Sequence, residues 1–398
     1  MSTLCWDRVK KILSKNTLKS LSITNTDPRY EATTNLCDLL MRLSPDTLQE
    51  LSLFNVTMSD NFNNFFTRQA SLKNLAIKGP VQPNLFRNLD LASLKLVGPK
   101  SNNLKEIIAS QPNLKSFQLT IDAETTYDER VFEEICSLPM VEKLDIPFGS
   151  NMMAVTMSRL NNLSNLQKLS INCTLLSFAF LASNNSLSLT DLDVSIVEVV
   201  PRELILQMRT NYPNLKSLKF KSPLAANYLS DFGEHFKKLE SLCVETEESY
   251  FVNSVQIHVI NGVRENLRHL AVINHDRKVV LYSNDLTRFI KNFSNLKSLV
   301  LIKILEIRLK DLKTILTSAP LLEEIVIQSQ YFTSTTTVMN SLKKFGSHLK
   351  LVKLENFKCD CDVNSLKIFF GEIFPVIEKK DGSLILRDHG KFHLKKFL

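Results

Sequence analysis

Apolar residues recur along this chain as apolar-x-x-apolar-x-apolar, and the phrase appears fourteen times. Asn295-Leu296-Lys297-Ser298-Leu299-Val300-Leu301-Ile302 returns almost letter for letter as Asn214-Leu215-Lys216-Ser217-Leu218-Lys219-Phe220 and as Asn113-Leu114-Lys115-Ser116-Phe117-Gln118-Leu119. Looser copies start at Leu18, Leu48, Leu72, Leu91, Val141, Leu166, Leu189, Leu239, Leu267, Leu322 and Leu349. The closing apolar-x-apolar of each copy is the period-2 signature of a strand with one face buried. Successive copies mostly lie in the mid-twenties of residues apart. A strand and its turn use about ten residues, leaving about a dozen for a return, enough for three turns of helix. The returns carry helical spacing: Leu286, Phe289, Ile290 and Phe293; Leu104, Ile107 and Ile108; Leu309, Leu312 and Leu316. Several stop at a proline before the next strand, at Pro112, Pro213 and Pro320, because proline cannot continue a helix.

That strand signature at that period is a leucine-rich repeat. It predicts an α/β solenoid of the horseshoe type, with about fourteen parallel strands on a concave face and helices opposite. A solenoid grows by stacking, so 398 residues need no second core, and no Gly-rich or Pro-rich linker interrupts them. The expected organisation is an N-terminal capping helix over 1–16, a repeat array over 17–360, and a C-terminal cap with a basic tail over 361–398. Thr3–Lys15 predicts an amphipathic helix that buries Trp6. Asn364–Phe374 predicts a further helix, and Leu384-Ile385-Leu386 a final edge strand. Two stretches break the pattern. Thr174–Ser188 is apolar first and polar after, and predicts no clear helix; Glu245–Asn266 is long and holds the alternating run Ser254–Val259.

Because strand side chains alternate, the residues flanking the second apolar position point onto the concave sheet. Early and middle copies place small or charged residues there: Ser20/Ser22, Glu50/Ser52, Asn74/Ala76, Ser93/Lys95, Ser116/Gln118, Lys143/Asp145, Lys168/Ser170, Asp191/Asp193 and Ser217/Lys219. Late copies place Ser241/Cys243, His269/Ala271, Ser298/Val300 and Glu324/Val326. Cys243, Ala271, Val300 and Val326 therefore line up as an apolar ladder, with Ile273 and Ile302 two positions on and His269, Ser298, Glu324 and Gln328 as a rim. A contiguous exposed apolar patch marks a protein-binding surface, and these ten residues are the candidate site. The alternatives are that the C-terminal segment folds back over the ladder, or that Ile273 and Ile302 turn inward at the strand end.

Composition adds mainly exclusions. No run of eighteen apolar residues is present, so no membrane helix is expected. Trp6-Asp7-Arg8 interrupts the stretch where a signal peptide needs apolar residues, which predicts a cytoplasmic or nuclear protein. Seven scattered cysteines predict buried thiols; Cys359-Asp360-Cys361 lacks a second pair at zinc spacing, so neither metal nor cofactor is expected. The net charge of +8 gathers in Met1–Ser20 and Ser341–Lys358. No aromatics are interleaved there as a base-stacking surface needs, and no nucleic-acid partner is expected. Catalytic motifs are missing, and the seven histidines fall in separate repeats, so no enzyme is expected. Asp145 and Asp193 fall two repeats apart on one face, but an open sheet offers no water-excluding cleft for acid–base work.

The helix-to-strand phrases Gln111-Pro112-Asn113-Leu114-Lys115-Ser116 and Tyr212-Pro213-Asn214-Leu215-Lys216-Ser217-Leu218, with their period, resemble the leucine-rich-repeat part of F-box proteins. Ribonuclease-inhibitor-like repeats share the pattern. The resemblance covers Leu18 to about Leu386 and implies a substrate-recognition subunit of a cullin–RING ubiquitin ligase, with the repeats holding a protein substrate and a ligase adaptor as second partner. The F-box itself is not visible; only Leu4–Val9 is similar to its final Cys-x-x-Trp portion. The Asn or Cys of the repeat falls one position early, at Asn25, Asn55, Cys173, Asn274 and Asn356. The other reading is a stand-alone repeat scaffold or inhibitor that binds a protein and recruits no ligase.

Overall fold

The computed structural model describes residues 18–25, 36–37, 40–56, 58, 61–99, 103–120, 129–147, 157–184, 188–223, 225–246, 265–275, 283–332, 335–355, 364, 366–367, 374, 376–380 and 383–387, and the structural statements below concern these. The N-terminal capping helix with Trp6, the Ser254–Val259 run, Cys359, Cys361 and most of the Asn364–Phe374 helix lie outside them. The chain divides into two compact units, Met1–Leu189 and Thr190–Leu398.

Seven strands make up the sheet of the first unit: β1 (Ser20–Thr24), β2 (Glu50–Phe54), β3 (Asn74–Lys78), β4 (Ser93–Val97), β5 (Ser116–Thr120), β6 (Lys143–Pro147) and β7 (Lys168–Cys173). Each pairs in parallel with the next and in the same register, so Leu51, Leu75, Leu94 and Phe117 stand in one row and Leu53, Ile77, Leu96 and Leu119 in another. Both rows are buried, at 2% exposure or less, against the returns. Those returns include α1 (Asn61–Thr67), α2 (Leu104–Ala109), α3 (Glu129–Cys136) and α4 (Leu175–Ser183). Helix α4 occupies the stretch whose pattern left a helix in doubt. Its signal is local: Thr174 is an N-cap whose hydroxyl accepts from the Ser177 backbone N–H at 3.2 Å. Apolar side chains on nearly every side of it blur the periodicity.

In the second unit, β8 (Asp191–Ile196), β9 (Ser217–Ser222), β10 (Ser241–Thr246), β11 (His269–Asn274), β12 (Ser298–Ile307), β13 (Glu324–Phe332) and β14 (Leu351–Glu355) repeat the arrangement. Helices α5 (Arg202–Asn211), α6 (Leu229–His235), α7 (Ser283–Ile290), α8 (Leu309–Ser318) and α9 (Thr335–Phe345) fall in its returns. The fourteen parallel strands begin where the fourteen sequence phrases place them. The end differs from expectation. Ser383–Arg387 (β16) pairs antiparallel with β14 and with a strand that periodicity missed, β15 (Val376–Lys380), so β16 is internal and β15 is the edge. Pairing of Lys380 with Ser383 leaves Asp381-Gly382 between them, a hairpin dipeptide that was readable in the sequence.

The recurring Asn of the strand phrase has a structural role. Asn165, Asn266 and Asn295 each donate from Nδ2 to a main-chain carbonyl of the preceding repeat, at Pro139, Lys237 and Glu265 (2.8, 2.5 and 2.9 Å). The Asn that falls one residue early ends the strand. In four consecutive repeats Asn25, Asn55, Gly79 and Gly98 donate their backbone N–H to the last strand residue of the next repeat. Asn55 (φ 57), Gly79 (φ 130) and Gly98 (φ 63) have left-handed backbones there, which Gly and Asn accept most readily. In the second unit Asn274 donates from its side chain to the carbonyl of Lys303 (3.4 Å), itself at φ 56. At Lys303 the register slips between Leu301 and Ile304, a β-bulge, and β12 and β13 continue past the usual strand length.

Candidate binding face

One sheet face in each unit is filled by the repeat core. The other, here the outer face, carries the first, third and fifth strand positions, and sequence alternation assigns it correctly throughout. What the face meets differs between the units.

In the first unit the outer face is accessible. Ser52, Ala76, Lys95, Gln118 and Ser170 are half-buried, as are Phe54 and Val97 two positions on, while Lys78, Lys143 and Lys168 are exposed. Asn74 donates to Glu50 at 3.2 Å. At the strand entries, Lys73 reaches Asp90 at 2.7 Å and Lys115 reaches Glu142 at 3.4 Å. The hydrogen bonds from Lys73 and Asn113 hold the Asp90 carboxyl below the usual carboxylate range.

In the second unit the predicted ladder assembles as expected in register: Cys243 pairs with Ala271, Ala271 with Val300, and Val300 with Val326. It is not exposed. Cys243, Ala271, Val300 and Val326 are at most 1% exposed, Ile273 and Leu351 are 8% exposed, and half-buried Ile302 and Ile385 pack against them. Of the expected rim, Ser298 and Glu324 are buried as well, and only His269 and Gln328 are half-buried. The expectation of an exposed apolar patch is corrected: these side chains form a second buried cluster on the outer face. Alternation reports which side of a sheet a residue occupies; it carries no information on whether that side meets water.

Ion pairs flank this outer core on both sides. Lys219 meets Glu245 at 3.1 Å, and Lys353 meets Glu355 at 2.5 Å. His275 lies 3.6 Å from Glu245, and the Cys243 thiol donates to Glu245 at 3.8 Å. Burial pulls the Lys219 ammonium down, but Asp193 and Glu245 outweigh it and leave its pKa raised. Burial pushes the Cys243 thiol up, and that of Cys136 up to about 12, so both are un-ionised, unreactive core groups. Among the described residues no group of three or more His, Cys, Asp or Glu could hold a metal ion, and no helix is long and apolar enough to cross a membrane.

No protein-family model matches the chain, and no curated protein matches it. Among solved structures it is similar to a leucine-rich-repeat protein of Leptospira interrogans, with 16% identity over 88% of this chain and 86% of that one, at a TM-score of 0.44. It is also similar to the Rad7–Elc1 complex of yeast, with 17% identity over 84% and 85% of the respective chains, at a TM-score of 0.39. The leucine-rich-repeat architecture rests on the chain's own strand phrases, their parallel order and their shared register.

Proposed function

We propose that this chain is a protein-binding repeat module, and that the outer face of its first unit makes the contact. One observation carries the reading: successive parallel strands present side chains from each repeat, in one register, on a face that solvent reaches. Such a face lets several repeats each contribute one contact, the usual mode of solenoid recognition. The Cys243–Val326 ladder is buried; His269, Ile302 and Gln328 are the members of the expected site left with some access. A substrate receptor of a cullin–RING ubiquitin ligase is the finer reading, supported by the resemblance of the strand-entry phrases to F-box repeat proteins. A stand-alone scaffold uses the same face without recruiting a ligase.

The test compares affinity capture from cells by the full chain and by a Ser93→Arg/Ser116→Arg variant, both changes lying on that face. The expected result is loss of a discrete set of partners with circular dichroism and melting temperature unchanged. Retention of every partner by the variant overturns the assignment to the first unit. Purified ligase adaptor, added to the full chain in a binding assay, separates the two finer readings.

A further inference from the structure

The charge and packing on the first unit's outer face specify more than a generic contact. On β2, β3 and β4 the register places Phe54, Lys78 and Val97 in one row, with Ala76 and Lys95 in the row two residues earlier. Neighbouring strands lie about 4.8 Å apart, so apolar Ala76 and Val97 occupy one diagonal of a small square and Lys78 and Lys95 the other. Lys78 is exposed, and Lys95, Ala76, Val97 and Phe54 are half-buried. Further along the face Lys143 is exposed. Among the described residues no ion pair engages Lys78, Lys95 or Lys143, although lysines at the strand entries of the same unit are paired. Unneutralised ammonium groups interleaved with partly accessible apolar side chains form a surface with a stated complement.

Building on the reading above, we infer that the outer face of β2–β6 docks an acidic protein segment that carries apolar side chains. Carboxylates of the segment meet Lys78, Lys95 and Lys143, and its apolar residues meet Phe54, Ala76 and Val97. A nucleic acid fits less well. Glu50 and Asp145 lie on the same face, where a phosphate backbone would meet them, and among the described residues of β2–β6 Phe54 is the one aromatic on it. A protein segment can place its acids to avoid those two carboxylates, whereas a uniformly charged polymer cannot.

The experiment pans a displayed random-peptide library against the immobilised full chain, then measures synthetic representatives by fluorescence anisotropy. The expected peptides are net acidic and contain at least one bulky apolar residue. Their affinity falls about tenfold or more in a Lys78→Glu/Lys95→Glu variant and falls with added salt. Phe54→Ala weakens them with little change in the salt dependence, and Lys95→Gln gives an intermediate loss in a variant whose fold carries no new charge. Recovery of peptides without acidic bias, or indifference of their binding to the lysine variants, overturns the inference while leaving a protein-binding module intact. Failure to recover any peptide overturns both. A labelled single-stranded oligonucleotide is measured in parallel; binding as tight as the peptides', lost in the same lysine variant, overturns the inference in favour of nucleic acid.

Discussion

The seven parallel strands of each unit are written in one repeat language, yet the outer faces differ where β10–β13 carry apolar side chains. In the first unit the third strand positions run Ser52, Ala76, Lys95, Gln118, and solvent reaches them. In the second, Asp193, Lys219 and Lys353 are half-buried in the same way, but between them Cys243, Ala271, Val300 and Val326 are sealed. The repeats are also fastened differently. In the first unit buried glutamines clip one coil to the next: Gln69 accepts from Leu48 N–H (3.1 Å) and donates to the Ser44 carbonyl (3.0 Å). Gln111 accepts from Leu91 N–H (3.0 Å) and donates to the Phe86 and Leu89 carbonyls (2.8 and 3.0 Å). Three repeats of the second unit fill the same position, three residues before the first apolar residue of the strand phrase, with Tyr212, Phe236 and Phe293. Phe236 packs tilted against Phe232 and Phe293 edge-on against Phe289, at centroid distances of 5.8 and 4.9 Å. A repeat therefore specifies its inward rows tightly, and leaves both its fastening and its outer face free to diverge.

Charge insertion should separate the faces most sharply. Val326→Glu buries an unpaired carboxylate and is expected to cost about 4 kcal/mol, read as a large drop in urea midpoint. Ser52→Glu, in the matching position of the first unit, should stay within about 0.5 kcal/mol. Equal costs would erase the distinction between a sealed and an accessible face. The fastening contrast comes next. Gln111→Leu strands the Leu91 N–H and the Leu89 carbonyl, while Phe86 keeps its bond from the Leu89 N–H, and should cost about 3 kcal/mol. Phe293→Leu keeps an apolar filler and should cost less than about 1.5 kcal/mol by the same denaturation series.

The strand-exit turns predict smaller effects of opposite sign. Asn55→Val places a β-branched residue on a left-handed backbone and should destabilise by about 1–2 kcal/mol, with Asn55→Gly nearly neutral. Lys303→Gly relieves the same kind of strain at the bulge in the second unit and should raise stability by up to about 1 kcal/mol; a loss would show that the Lys303 side chain contributes more than its backbone costs. The least effect is a pH dependence confined to the second unit. Burial lowers the His348 pKa from 6.5, favouring the neutral ring in the folded state. Its contribution is fully present above 6.5 and is lost as pH falls through the lowered value, because the unfolded chain then binds the extra proton. His348→Gln should flatten stability against pH in that window.

The inward rows were legible from the sequence because burial enforces them from the second repeat on: Leu94, Leu144, Leu218 and Leu299 are all 1% exposed or less, whereas Leu21 and Ile23 of β1 are half-buried. Helix α4 was harder to read, since its apolar residues do not keep to one side and its cap is a single hydroxyl. The terminal hairpin lies outside the repeat period, so periodicity missed β15 and only the Asp381-Gly382 dipeptide between its strands signals it. The candidate site was half legible. Membership of the outer face and the neighbours in register follow from alternation by two, but the burial of Val300 shows only in the packed cluster that also takes in Leu351 and Ile385. The basic and apolar square around Lys95 was equally present in the sequence, yet half-burial of Ala76 and Val97 could not be told from full exposure without the packing of adjacent strands.

The glutamine clips have a further use. Hydrogen bonds from the Leu48 and Leu91 amides end on the side chain of the following return, not on the neighbouring strand. Fraying of a strand edge leaves such a bond in place; separating one coil from the next breaks it. Solvent exchange at these two amides therefore clocks the opening between coils, a motion that one-dimensional arrays undergo repeat by repeat. The chain carries its own pair of isotopic reporters for unzipping, at known positions and without an added label.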